Sequence, residues 1–191
     1  MSLHASAVST LDSWRPGLHG QESIRQALLA FLAARPDACQ RSCVPGHVTA
    51  SAVVLDHAGE HVLLTLHPRV GRWLQLGGHC EPVDRTLVAA ALREATEESG
   101  IAGLTIEPTP LHVDVHPVTC SLGVPTRHLD VRFLVHAPAG ATPVRSAESV
   151  DLRWWPVGTP PDGDDTGELR DMLALALLRT AQVKGVGSRV G

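Results

Sequence analysis

Residues 77–101 read GGHCEPVDRTLVAAALREATEESGI, and this stretch decides the fold. A glycine pair opens it, and a run rich in Ala, Leu and Glu follows. In a helix, Glu94, Glu97 and Glu98 stand at positions i, i+3 and i+4, so all three carboxylates share one face. Like charges at this spacing repel by about 0.2–0.5 kcal/mol per pair on an isolated helix. Because a cation against them would offset that repulsion, the cluster predicts a site for a hard divalent ion.

The sequence also predicts both ends of this helix. We expect it to begin near Asp84 or Thr86 and to end at Ser99, with Gly100 as the C-terminal stop. Asp84 is interpreted as the N-cap, so its replacement by Ala would cost about 1 kcal/mol and change the chemistry little. Glu81 has two open interpretations, an indirect contribution to the cation site or an exposed loop charge.

The composition favours a globular protein with a small soluble ligand. The chain has 191 residues and a formal net charge of -4, and its 16 Lys and Arg residues are scattered. Such a distribution argues against a nucleic-acid or membrane surface. The cysteines lack C-x-x-C spacing, and no apolar run suits a leader or a membrane span. We therefore expect a cytoplasmic protein with reduced thiols and without nucleic-acid or membrane partners.

Periodicity predicts helices that flank a set of strands. An apolar stripe predicts an amphipathic helix over residues 22–35, and a second stripe predicts a helix around residues 169–177. Short runs rich in Val and Leu predict strands at 47–55, 60–67, 72–76, 111–115, 128–136 and 152–157. This pattern favours an α/β fold in which a mixed sheet lies between helical layers. The predicted organisation is an N-terminal extension (1–46), one main domain (47–183) and a flexible tail (184–191).

The glycine turn and the acidic helix together resemble the Nudix box. That motif reads Gly, five residues, Glu, seven residues and then Arg-Glu-U-x-Glu-Glu-x-Gly-U, where U is aliphatic or small. Gly78 matches the first glycine, and Arg93 to Ile101 match the whole second half. Two departures are Asp84 in place of the early glutamate and eight residues, instead of seven, before Arg93. The resemblance covers about residues 47–157 and implies a Nudix-type α/β/α sandwich with a mixed sheet.

The resemblance implies a Mg²⁺- or Mn²⁺-dependent hydrolase that cleaves a nucleoside diphosphate linked to another moiety. Glu94, Glu97 and Glu98 would bind the ion and supply the base, and the Gly78 carbonyl would be a further ligand. Arg93, next to Glu94 and four residues before Glu97, would hold a carboxylate in its metal-binding orientation. Water would then attack phosphorus in line.

Two predicted strands carry a second polar feature. In HVDVHP and RHLDVRFLVH, alternate residues on one face are polar, and the opposite faces are apolar. The polar positions are His112, Asp114 and His116 on the first strand and His128, Asp130 and Arg132 on the second. If the strands pair, these side chains form one patch. We interpret the patch as a substrate-binding face, with Arg132, His116, His128 and Asp130 as its binding residues. A solvated outer face and a second metal site of His and Asp are the alternatives.

Some residues near these features keep open interpretations. His79 and Cys80 follow the glycine pair, where they either approach the ion or substrate or lie exposed. Glu148 lies where the resemblance implies one more carboxylate as base or ligand. Adjacent strand residues face opposite ways, so one of Trp154 and Trp155 is expected in the core.

The sequence does not specify the substrate or the assembly. Nucleoside triphosphates and nucleotide sugars are comparable candidates, and Pro117 lies one position from where the resemblance would place an ADP-ribose-associated proline. The main alternative function is a non-catalytic Nudix-fold nucleotide sensor, and an isomerase is a third. Dimers are common among Nudix proteins, so a homodimer with the N-terminal helix at its interface is one expected assembly.

Overall fold

The computed structural model of the chain describes residues 1–119, 123–147, 149–161 and 167–187. Its helices are α1 (Leu3–Ser13), α2 (Gln21–Ala34), α3 (Leu87–Ser99) and α4 (Glu168–Gly187). Its strands are β1 (His47–Leu55), β2 (His61–Leu66), β3 (Trp73–Leu74), β4 (Leu76–His79), β5 (Thr105–Thr119), β6 (Pro125–His136) and β7 (Asp151–Pro156). Cys120 and Glu148 lie outside the described residues. Within the described ranges, none of the helices has the length and hydropathy of a membrane span.

The strands form one mixed sheet with β1 at its centre. The order is β3-β2-β1-β6-β5, and β4 and β7 pair with β1 and β2 respectively. β1 runs parallel to β6, whereas the other pairs are antiparallel. On the side away from β6, the first part of β1 pairs with β4 and its last part pairs with β2. The mixed sheet expected from the sequence is confirmed.

Alternation along β1 gives the sheet two different faces. On one face, Val48 and Ala50 pack in a cluster with residues of α1, α2 and α3. Further along the same face, Ala52 and Val54 pack with Ala95 of α3. This face is therefore apolar along its whole length.

The other face changes character along β1. Val53 and Leu55 pack in an apolar cluster with residues of α4. Toward the N-terminal end of the strand, the buried residues on this face are polar: His47, Thr49 and Ser51. Helices thus cover both faces of the sheet, as the α/β/α prediction required, and one end of the α4 side is left polar.

The prediction that Asp84 is the N-cap of α3 is wrong, because Thr86 fills that position. Thr86 has extended backbone, and its hydroxyl accepts a hydrogen bond from the N–H of Ala89 at 3.0 Å. Asp84 instead accepts a hydrogen bond from the N–H of Glu81 at 2.8 Å, within the loop. Thr and Asp are both good capping residues, and Thr86 is the one adjacent to the first helical turn. The C-terminal stop at Gly100, which has a φ of 65°, is as expected.

Other elements differ from the expected bounds in instructive ways. α2 matches the expected helix within one residue at each end, whereas α1 was not expected at all. α4 continues past Lys184 to Gly187, into the segment expected to be a loose tail. Trp155 packs beside Trp73 on the α4 side, and Trp154 packs on the α3 side, so the adjacent tryptophans do face opposite ways.

The N-terminal extension is joined to edge strand β5 by the side chain of Gln21, at the start of α2. Its Oε1 accepts a hydrogen bond from the N–H of Val113 at 2.7 Å, and its Nε2 donates to the Val113 carbonyl at 2.9 Å. Nε2 also lies 2.9 Å from Nε2 of His112. The amide of Gln21 thus makes the pair of hydrogen bonds that a neighbouring strand would make to Val113. Gln21 is only 6% exposed, so these bonds are buried.

We expect Gln21→Ala to lower the free energy of unfolding by about 2–3 kcal/mol, because both backbone groups of Val113 would lose their partner in a buried position. Gln26→Ala, five residues along α2 on its exposed face, should change it by less than about 0.5 kcal/mol. Urea unfolding followed by circular dichroism measures both. Equal effects of the two substitutions would contradict the strand-like role of Gln21.

Candidate active site

A cavity of about 1950 Å³ opens beside the acidic face of α3. Glu94, Glu97 and Glu98 line it together with Gly77 and Gly78. The glycine pair, expected from the sequence to form a turn, lies in strand β4. The side chain of Glu94 is 14% exposed and that of Glu97 is 60% exposed. Glu98 accepts a hydrogen bond from the N–H of Gly77 at 3.1 Å. The acidic helix face and the glycine pair of β4 therefore form one continuous wall of the cavity.

Close approach of the backbone requires both glycines. Gly77 has a φ of +143°, which L side chains rarely adopt, and a Cβ there would lie 2.4 Å from Oγ of Ser51. A Cβ on Gly78 would lie 3.0 Å from the carboxylate of Glu94. β4 can therefore pass close to β1 while its backbone lies directly beside that carboxylate.

The donors gathered here suit a small hard cation. The acidic face of α3 supplies carboxylate oxygens, and the backbone of Gly78 lies beside the Glu94 carboxylate. Oxygen-only donor sets are those that Mg²⁺ and Mn²⁺ prefer. Because Gly78 has no Cβ, the Glu94 carboxylate can lie against this backbone without a clash. The residues present thus fit such an ion.

Arg93 organises the carboxylates around it. Its Nε and Nη2 donate to Asp84 at 3.2 and 3.0 Å, and its Nη1 donates to Glu94 at 3.1 Å and to Glu97 at 3.0 Å. Nη2 also donates to the carbonyl of His79 at 3.0 Å. The hydrogen bond to Asp84 raises the pKa of Arg93 above its ordinary value. Arg93 is therefore a permanent cation held between the loop and the acidic helix.

The two polar strand faces lie side by side in the structure. β5 and β6 pair antiparallel, and the partners are His112 with Arg132, Asp114 with Asp130 and His116 with His128. Of these six residues, His112 is buried at 7% exposure, and the other five line the cavity. The face is therefore part of the same cavity as the acidic helix.

Arg132 is the buried charge at the centre of this face. Its Nε donates to Asp130 at 2.8 Å, its Nη2 donates to Asp114 at 3.4 Å, and its Nη1 donates to Glu168 of α4. Burial lowers the pKa of Arg132, but the surrounding carboxylates outweigh it, so the net shift is upward. With a side chain only 4% exposed, Arg132 binds carboxylates inside the protein.

Asp130 is the acceptor that ties β6 to β1. Its Oδ1 accepts hydrogen bonds from the hydroxyls of Thr49 at 2.9 Å and Ser51 at 2.7 Å. Burial would raise the pKa of Asp130, but Arg132 and these hydroxyls lower it on balance. The carboxylate therefore stays ionised although it is 2% exposed.

Two histidines of the face are shifted in opposite directions. Nδ1 of His116 lies 2.6 Å from Oδ2 of Asp114, and this hydrogen bond raises the pKa of His116. Burial and the nearby charge of Arg132 lower the pKa of His112 to about 4. His116 is also the more accessible of the two, with a side chain 41% exposed at the cavity.

A group of three histidines, which the sequence did not predict as a group, lies at one end of this face. The ring centroids of His47, His79 and His128 stand 4.9 to 5.1 Å apart. Burial lowers the pKa of His79 to about 3 and that of His128 to about 4. The three residues come from β1, β4 and β6, so only the register of the sheet brings them together.

Several arginines that are far apart in the sequence also line the cavity, and no sequence pattern predicted them as a group. The exposed lining residues of this kind are Arg41, Arg69, Arg72 and Arg85. Glu81 is exposed at the cavity as well, whereas Cys80 packs in an apolar cluster with α3. One wall of the cavity is therefore acidic, and exposed arginines make its border cationic.

A family model described as the NUDIX domain matches residues 45–175, which is more than half of the chain. The chain therefore belongs to the Nudix family of hydrolases, which act on nucleoside diphosphates linked to another moiety. The resemblance inferred from Gly78 and Arg93 to Ile101 is confirmed, and so is assignment to an enzyme family of the pyrophosphohydrolase type.

Solved structures show the same fold. The MutT protein from Methanosarcina mazei Go1 has a TM-score of 0.53 at 19% identity, over 72% of this chain and 97% of that chain. The E. coli dihydroneopterin triphosphate pyrophosphohydrolase gives 0.53 at 20% identity, over 66% and 91%. The NUDIX domain of Shewanella oneidensis NrtR, complexed with ADP ribose, gives 0.50 at 21%, over 78% and 97%. At these identities the likeness supports the fold alone. No curated protein sequence matched the chain.

Asp84→Asn should lower the free energy of unfolding by about 2–3 kcal/mol, because Arg93 would lose a charged partner in a largely buried position. Thr86→Ala should lower it by about 1 kcal/mol through loss of the N-cap. Urea titrations of the two variants check both values. Asn caps helices as well as Asp does, so an Asp84→Asn variant as stable as the wild type would restore the N-cap interpretation.

His112 and His116 should titrate on opposite sides of the ordinary histidine pKa of about 6.5. Stability from the His116–Asp114 pair is fully present below about pH 6.5 and is lost as pH rises through the raised pKa of His116. Stability linked to neutral His112 is present above about pH 6.5 and is lost as pH falls toward its pKa of about 4. NMR titration of the imidazole resonances, assigned with His116→Gln, measures both. Coincident curves would contradict the partners described here.

Proposed function

We propose that the chain hydrolyses the diphosphate linkage of a nucleoside diphosphate attached to another moiety, with Mg²⁺ or Mn²⁺ held by Glu94, Glu97 and Glu98. A nucleoside triphosphate or a nucleotide sugar is the expected substrate. The observation that carries the proposal is that this acidic helix face lies against Gly77 and Gly78 of β4 on the wall of one cavity.

The ion, when bound, would neutralise diphosphate oxygens and lower the pKa of a bound water. A carboxylate of α3 would accept a proton from the attacking water as the water oxygen bonds to phosphorus. The bridging P–O bond would break in line, and the leaving phosphate would keep the bonding electron pair. Arg93, fixed by Asp84, would keep Glu94 and Glu97 turned toward the same side of the helix.

The proposed substrate-binding residues would have different roles. His116 is accessible and has a raised pKa, which suits a donor to a phosphate or leaving-group oxygen. Arg132 and Asp130 are buried against each other, so we assign them to positioning of the polar face. His128 lies against His116, with ring centroids 5.4 Å apart, and would fix its orientation.

The size and border of the cavity support a substrate with two linked parts. Its volume of about 1950 Å³ exceeds the roughly 300–1,000 Å³ of common small-molecule sites, so a nucleotide and a second moiety fit together. The exposed arginines at its border would bind phosphate oxygens. A homodimer and a cytoplasmic location stay predictions from the sequence.

Phosphorus NMR on a panel of candidate substrates tests the proposal. The panel contains nucleoside triphosphates, nucleotide sugars, ADP-ribose and dinucleoside polyphosphates, each with Mg²⁺, with Mn²⁺ or with EDTA. One class of substrate should be consumed only when metal is present. Glu97→Gln should lower kcat/KM for that substrate by about 100-fold or more.

Glu60→Gln is the matched control, since Glu60 is an exposed glutamate between β1 and β2 and should leave kcat/KM unchanged. Turnover that survives Glu97→Gln would refute the assigned role of the acidic helix. Thermal stabilisation by a nucleotide that is never consumed would indicate a binding module.

A further inference from the structure

Three histidines from three strands meet at the edge of the cavity. His47 begins β1, His79 ends β4, and His128 lies in β6. Each ring offers a nitrogen atom, and these three atoms lie within 4.8 Å of one another. The ring planes are tilted or perpendicular, at 36°, 59° and 88° in the three pairs. The rings therefore form a triangle of nitrogen donors and do not stack.

Two ring nitrogens of these three histidines are buried without a hydrogen-bond partner among the described residues. They are Nε2 of His47 and Nε2 of His128. An unpaired buried polar atom costs about 1–3 kcal/mol, so such atoms point to a ligand. The second nitrogen of His47, Nδ1, lies 3.3 Å from the carbonyl oxygen of Cys43. A ring N–H held on a carbonyl leaves the opposite nitrogen with a lone pair, which is the usual arrangement of a metal-binding histidine.

We propose that His47, His79 and His128 bind one divalent transition-metal ion of the Zn²⁺ class, separate from the ion held by the acidic face of α3. Imidazole nitrogens suit Zn²⁺, Ni²⁺ and Cu²⁺, whereas Mg²⁺ prefers oxygen donors. Zn–N bonds of about 2.0–2.1 Å in a tetrahedral site place the nitrogens about 3.4 Å apart. The nitrogens, now within 4.8 Å, need to close by at most about 1.4 Å, which is within the reach of ring rotation.

Three protein ligands leave one coordination position open. His79 and His128 line the cavity, whereas His47 is 1% exposed and does not line it. The open position consequently faces the cavity, where a water or a phosphate oxygen can fill it. The carbonyl of His79 also accepts a hydrogen bond from Arg93, so one residue contacts both the histidine triangle and the acidic helix.

Titration of Zn²⁺ into untagged, EDTA-treated protein tests the proposal, with excess Mg²⁺ present to fill oxygen sites. Calorimetry should show one equivalent per chain, and Co²⁺ should give the visible absorption of a four- or five-coordinate ion. His47→Gln, His79→Gln and His128→Gln should each weaken Zn²⁺ binding by at least about 10-fold. His57→Gln, at an exposed turn, and the triple substitution Glu94→Gln, Glu97→Gln and Glu98→Gln should leave it unchanged.

Thermal unfolding of each metal-free variant checks that it folds. A readout that needs no variant is the NMR spectrum of the wild type, in which Zn²⁺ should shift the imidazole resonances of three of the 11 histidines. Zn²⁺ binding that survives His47→Gln and disappears in the triple glutamate variant would overturn the proposal. Because metal binding is measured without turnover, a chain that binds Zn²⁺ but hydrolyses nothing would refute only the hydrolase.

Pyrophosphate added to the Co²⁺-loaded protein tests where the open position points. A change in the visible spectrum is expected, since the phosphate oxygen would enter from the cavity. An unchanged spectrum at saturating pyrophosphate would overturn the assignment of that position to the cavity.

Discussion

The close approach of β4 to β1 at Gly77 and Ser51 is the constraint on which the site depends. A side chain at Gly77 would lie 2.4 Å from Oγ of Ser51, so only glycine lets the two backbones pair here. The same pairing continues through Gly78 to His79, opposite Ala50 and Thr49 of β1. This one strand register therefore places the backbone of Gly78 beside Glu94 and the His79 ring beside the His47 ring of β1. A rigid strand, and not a separate loop, thus positions both the Gly78 backbone and the His79 ring.

Two arginines balance the negative charge of the cavity. Arg93 binds Asp84, Glu94 and Glu97, and Arg132 binds Asp130, Asp114 and Glu168. The repulsion expected within the acidic helix is thus already reduced inside the protein before any ion binds. The two arginines differ in depth, since the Arg93 side chain is 17% exposed and that of Arg132 is 4% exposed.

Local sequence patterns predicted the features that follow from periodicity within one segment. They did not predict the groups that form where segments distant in sequence come together. The acidic face of α3 and the alternation of β5 and β6 follow from spacing along one segment. The triangle that includes His47 and His79 depends on strand register, which no local pattern contains. Asp84 was misassigned because Asp84 and Thr86 are both good capping residues and stand two positions apart. Only the folded position of Arg93, which donates to Asp84, shows that Asp84 has a different role. α1 was missed because its run LHASAVSTLDS lacks a continuous stripe of large apolar residues.

β5 is a strand of 15 residues at the end of the sheet. The free N–H and C=O groups of such an edge invite a strand from another chain, which is a route to aggregation. Gln21 occupies both backbone groups of Val113, and Arg179 of α4 donates to the carbonyls of Thr109 and Pro110 at 2.9 and 2.8 Å. Side chains of the N-terminal extension and the last helix therefore occupy part of this edge, and at those positions they oppose the addition of a strand from another molecule.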